Sequence, residues 1–182
     1  VNYYLNDSES HRLNALYAVL EKDIKLLESK KLVAAQATQL KDLQYQLVDI
    51  RYKISTQKLD LDEFLNKYLN LKHVATQTLE EYKKEREKIS IKQLDVGRKK
   101  EDLKLEKNKL LEKKDTVFKD QAPALQTIIK RLTVIKQLLK QQVDLSNEYL
   151  VVISALISKQ EEINSQYELI IETIERRKNY EG

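Results

Sequence analysis

Apolar residues in this chain stand between polar ones at spacings of three and four, the recurrence that keeps side chains on one face of an α-helix. Leu13, Leu16, Leu20, Ile24 and Leu27 open the pattern behind the polar run Asn6, Asp7, Ser8, Glu9 and Ser10. An Asp or Ser side chain in that run can accept the free N–H groups of a first turn, so a helix is predicted from about residue 8. Between Lys31 and Gln39 the stripe slips onto Val33, Ala34, Ala35 and Ala37, which reads as a stutter. It then resumes as Leu40, Leu43, Leu47, Ile50 and Ile54.

Asp60, followed by Glu63 and then by Phe64 and Leu65, is shaped like a capping box and marks a helix junction. Beyond it Leu61, Tyr68, Ala75, Tyr82, Ile89, Val96, Leu103, Leu110 and Val117 recur every seven residues, the repeat of a left-handed coiled coil. The companion seam position runs from Phe64, Leu71 and Leu79 to Arg86, Gln93, Lys100, Lys107 and Lys114, so the seam becomes wetter along the helix. Pro123 is tolerated in a first turn, where its missing N–H would be unpaired, and it places a third helix start near Asp120 or Ala122. That helix carries Leu125, Ile128, Leu132, Ile135, Leu139, Tyr149, Ile153, Leu156, Ile163, Tyr167, Ile170 and Ile174 on one seam.

The expected fold is therefore all-α: an elongated, antiparallel, coiled-coil three-helix rod with helices over about 8–57, 60–115 and 121–179. The competing arrangement merges the first two helices into one very long helix, with the third folded back on it in a dimer. Heptads satisfy both, because a seam does not say which helix covers it. The 182 residues are expected to form a single helical domain, cut from a longer protein.

Composition agrees with long helices: two Gly and one Pro in the whole chain, with 34% of residues charged. Cys is absent, which excludes disulfides and thiolate chemistry and fits a reducing, cytoplasmic or other intracellular compartment. Uncharged runs such as Tyr149 to Ser158 are too short to span a bilayer. The net charge of +4 arises from 33 basic and 29 acidic residues intermixed, unlike the one-sided field of a nucleic-acid binder. No sequence-specific nucleic-acid partner is expected.

The inventory for catalysis is thin. His11 and His73 have no partners at metal-ligand spacing, and no glycine-rich loop is present. No catalytic residue, metal or cofactor is expected. Asp60, Asp62 and Glu63 read as helix-start carboxylates facing the positive end of the dipole. Asn6-Asp7-Ser8 fits the glycosylation pattern by chance. Gly97, inside the heptad run, marks a weak point or a kink.

Two features point to interaction. The run from Tyr149 to Ile157 is apolar all round the helix, which calls for cover on more than one side. Tyr149, Leu150, Val152, Ile153, Leu156 and Ile157 are thus a candidate partner or self-association patch. The second is a basic excess from Arg98 to Lys119, where Arg98, Lys99, Lys100, Lys104, Lys107, Lys109, Lys113, Lys114 and Lys119 outnumber five acids. A turn after the second helix would put this excess at a tip able to touch an anionic membrane weakly. The sequence is read as a non-enzymatic structural or adaptor module that assembles or tethers protein partners through its helix faces. The alternative is a membrane-surface dimer of the kind exemplified by BAR domains.

Overall fold

The computed structural model describes residues 2–113 and 122–181, with side chains at 5–113 and 122–180. Three helices make up the described chain: α1 (Asn2–Thr56), α2 (Leu61–Lys113) and α3 (Ala122–Glu181). The break after Thr56 rules out the merged-helix arrangement. Asp60 ends it by capping α2, its Oδ1 accepting the Glu63 N–H at 3.1 Å and its carbonyl the Phe64 N–H at 3.2 Å. Pro123 lies in the first turn of α3. The connection expected between the second and third helices lies outside the described residues.

Contacts group the chain into two compact units, one of Val1–Leu27 with Lys88–Leu150, the other of Glu28–Glu87 with Val151–Gly182. Each takes a stretch of all three helices. In the second unit Leu43, Leu47 and Ile50 of α1, Tyr68 and Ala75 of α2, and Ile163, Tyr167, Ile170, Ile171 and Ile174 of α3 form one core. In the first unit Ala15 of α1 and Val96 of α2 pack with Ile128, Leu132, Ile135 and Leu139 of α3.

Pairing fixes the directions within each unit. In the second unit Gln36 bonds Gln160, 124 residues on, and Gln39 bonds Tyr167, 128 on, so α1 and α3 run parallel. The α2 pairs run the other way, Asp62 with Lys178, Lys72 with Glu168 and Ala75 with Asn164. In the first unit Ser8 meets Arg131 and Ala15 meets Gln142, again in parallel. The expected all-α, antiparallel three-helix arrangement is present in these pairings.

Three details depart from expectation. α1 begins at Asn2, not near Ser8, because Ser8 is buried inside it and its Oγ donates to the Leu5 carbonyl at 2.9 Å. A serine bonding back to the preceding turn continues a helix; it does not cap one. The second departure is the stutter at residues 31–39. Ser29, Val33, Gln36, Leu40, Leu43, Leu47, Ile50 and Ile54 are the covered positions and keep unbroken spacings of four and three. What looked like a slip is a change of face. The third is Leu71, which is exposed, while Lys72 takes the companion seam position and pairs with Glu168 at 3.3 Å.

Gly97 lies in unbroken α2 with no positive φ, and a Cβ built there meets nothing within 4 Å. Gly97→Ala is therefore expected to raise stability by about 0.5–1 kcal/mol, read as a higher urea midpoint. A second test concerns burial. Ile170→Ala, at a fully buried position, should cost about 2–5 kcal/mol, whereas Leu20→Ala, at a half-exposed one, should change stability by less than about 0.5 kcal/mol.

Candidate interaction surfaces

α3 supplies the seam on which both units are built. Ile128, Leu132, Ile135, Leu139, Gln142, Ser146, Tyr149, Ile153, Leu156, Gln160, Ile163, Tyr167, Ile170 and Ile174 alternate at spacings of four and three, and all but half-buried Tyr149 are buried. Gln142, Ser146 and Gln160 are polar members that a search for apolar periodicity passes over. Each has a partner across the bundle. Gln142 Nε2 donates to the Ala15 carbonyl at 3.2 Å, and Ser146 Oγ accepts from Lys22 at 2.9 Å. Gln36 Nε2 donates to the Leu156 carbonyl at 3.0 Å and to Gln160 Oε1 at 3.3 Å. Gln160 Nε2 continues to Asn164, whose Nδ2 reaches the Ala75 carbonyl of α2. This polar layer crosses all three helices of the second unit. Gln36 Oε1 is buried with no hydrogen-bond partner among the described residues.

Charged groups also enter the covered face of α1. Glu9 accepts from Arg12 and pairs with Arg131 at 3.3 Å, and Arg131 donates to the Leu5 carbonyl at 2.6 Å. The hydrogen bond from Arg12 holds the Glu9 carboxyl below its ordinary range, against partial desolvation. Burial pushes the Lys22 ammonium below the ordinary lysine value, helped by the charges of Lys92 and Lys25.

With Ser8, Arg12, Ala15, Val19, Lys22 and Leu26 turned inward, the stripe that the sequence assigns to the core faces solvent. Leu13 (41% exposed), Tyr17 (71%), Leu20 (50%), Ile24 (57%) and Leu27 (56%) alternate at spacings of four and three, forming a second seam on α1. Leu16 borders it at 36% exposed. The leucines were legible; their face was not. Leucine content favours this stripe, whereas hydrogen bonds from Arg131 to Leu5 and Ser8 and from Lys22 to Ser146 hold the more polar face against α3.

The patch expected at the middle of α3 divides. Ile153, Leu156 and Ile157 are buried by the chain itself, Tyr149, Leu150 and Val152 are half-buried, and the neighbouring Val151 is 72% exposed. Of the basic segment, Arg98, Lys99, Lys104, Lys109 and Lys113 are exposed, while Lys100 and Lys107 are half-buried at seam positions. Glu101, Asp102, Glu106 and Glu112 share that surface. Lys114 and Lys119 lie outside the described residues.

A cleft of about 400 Å³ in the first unit has Ile135, Leu139, Ala15 and Gln142 as its floor and His11, Lys99, Asp102 and Glu106 among its lining residues. His11 also lies 3.5 Å from Asp7, and exposed His73 lies 3.2 Å from Gln77. Among the described residues no cluster of His, Asp and Glu could hold a metal ion, and no helix is long and apolar enough to cross a membrane. Against known families, curated proteins and solved structures the chain shows no match.

Tyr68 gives a pH prediction. Its hydroxyl donates to Gln46 Oε1 at 2.7 Å, and burial pushes the phenol above the ordinary tyrosine value, with Tyr167, Asp42 and Asp49 adding to the shift. A raised pKa means that the folded state holds this proton more tightly, so the contribution is full below pH about 10 and is lost as pH climbs through the folded value. Lys22 acts in the opposite sense, since a lowered pKa penalises folding at neutral pH and the penalty lifts in alkali. The difference between the native chain and Tyr68→Phe isolates the tyrosine. It should be about 1 kcal/mol at pH 7 and shrink above pH about 10 in urea titrations.

Proposed function

We propose that this chain is a non-enzymatic adaptor module whose three-helix bundle presents the second seam of α1 to a helix of a protein partner. The supporting observation is the five-position exposed seam of Leu13, Tyr17, Leu20, Ile24 and Leu27. A monomeric helix surface needs one apolar stripe, and a second one with heptad spacing is what a partner helix uses. Fully burying a Leu or Ile side chain is worth about 1.5–3 kcal/mol, so covering the four half-exposed ones together with Tyr17 recovers several kcal/mol against the cost of association. Scattered exposed leucines are ordinary, but a contiguous row at this spacing marks an interaction site.

The membrane reading draws on Arg98 to Lys113, where four acids sit among seven basic residues and two of those seven are drawn into the seam. That mixture gives a weaker attraction to an anionic surface than the count of lysines implies.

The adaptor reading is tested by proximity labelling in the cell of origin with the full chain fused to a labelling enzyme. A specific set of neighbours should be lost when Leu20→Asp and Ile24→Asp are combined, with circular dichroism and melting temperature within a few degrees of the native values. Neighbours unchanged in the folded variant would refute the reading.

A further inference from the structure

The positions that border the second seam of α1 carry charge of one sign. In heptad terms the side following Leu13, Leu20 and Leu27 presents Asn14, Glu21 and Glu28, and the side preceding Tyr17 and Ile24 presents Leu16 and Asp23. The first basic residue on either border is Lys30, past the end of the seam, while Lys25 stands one row further round and Lys22 is turned into the bundle. Border residues are those that face a partner helix across a coiled-coil interface and select it by charge.

We infer that the occupant of this seam is an amphipathic helix with Lys or Arg on its borders, carried by another protein, and not a second copy of this chain; the inference rests on the docking reading above. Self-pairing sets acid against acid in both orientations. A parallel pair of α1 helices brings Asp23 beside Glu28 of the second copy, and an antiparallel pair brings the Glu21 and Glu28 border against itself. Like charges at these positions oppose association. The basic helix of this chain is no substitute. On the outer face of α2 the exposed Ile91, Leu94 and Leu105 are interrupted by Arg98 and Glu101 at the seam positions between them. Tyr17 adds a preference of its own. Its exposed ring within the seam offers a π face to a cation reaching in from a basic border.

The test uses the whole chain and two synthetic peptides of about three heptads, both with Leu at the two seam positions, one with Lys and the other with Glu at the border positions. Binding is read by fluorescence anisotropy, and the mass of the chain alone by sedimentation equilibrium. The Lys peptide should bind about tenfold tighter than the Glu peptide at low salt, and the gap should close towards 0.5 M salt as screening removes the border terms. The triple variant Glu21→Lys, Asp23→Lys and Glu28→Lys should reverse the preference, and Leu20→Asp with Ile24→Asp should abolish binding of both peptides. Equal binding of the two, or preference for the Glu peptide, overturns the basic-border inference and leaves the docking reading standing. Binding of neither peptide to the folded chain overturns both. A dimer of the chain alone that dissociates in the Leu20→Asp, Ile24→Asp variant identifies the second copy as occupant and likewise overturns the inference. Should the triple variant fail to fold, the salt dependence of the native chain with the two peptides decides the matter by the same criterion.

Discussion

The bundle depends on one constraint: the seam of α3 alternates at four and three from Ile128 to Ile174 without interruption, and α1 and α2 pack on it. An alternation averaging 3.5 residues is close to the 3.6-residue turn of the helix, so successive members of the seam fall on one narrow stripe that drifts by only about 20° per heptad. The most deeply buried apolar side chains of α3 are large and branched, with Ile163, Ile170 and Ile174 fully covered. The chain has no Cys, so no disulfide contributes. Hydrophobic burial along this stripe is the main term that offsets the chain entropy of ordering such long helices.

Polar members of the seam give that burial its register. A purely apolar stripe tolerates sliding by a heptad, because each layer resembles the next. Gln36 and Gln160 do not tolerate it, since a displaced Gln36 would lose both the Leu156 carbonyl and the Gln160 amide and leave buried groups unpaired. Gln142 with the Ala15 carbonyl, and Lys22 with Ser146, do the same in the first unit. Such residues cost stability and secure one alignment, the use of buried polar groups that is best attested in coiled coils.

The two halves of α1 use their apolar residues differently. In the second unit Leu43, Leu47 and Ile50 enter the core, whereas in the first unit Ala15 and Leu26 are the buried apolar residues of α1 and the larger ones from Leu13 to Leu27 stand outside. A helix that gives its better apolar face to solvent holds burial energy in reserve, and under the proposed docking of a partner helix the acidic borders Glu21, Asp23 and Glu28 would restrict which one can take it up.

From the sequence alone, the helical class, the three segments, the Asp60 cap, the first-turn Pro123 and the heptads of α2 and α3 were all legible. Each is written in local chemistry: spacing, a side-chain acceptor, a fixed φ. Which face of α1 turns inward was not legible, because Leu13, Leu20 and Leu27 outweigh Ser8, Arg12 and Lys22 on any scale of hydrophobicity. That choice belongs to tertiary structure. Arg131 bonds Leu5 and Ser8, and Lys22 bonds Ser146, contacts between residues more than a hundred positions apart. The break after Thr56 shows the same division. Asp60 marks a helix start, and the core that Leu43, Leu47 and Ile50 share with Tyr68 and Ala75, with the Tyr68–Gln46 hydrogen bond, holds α2 folded back there instead of running on as one helix.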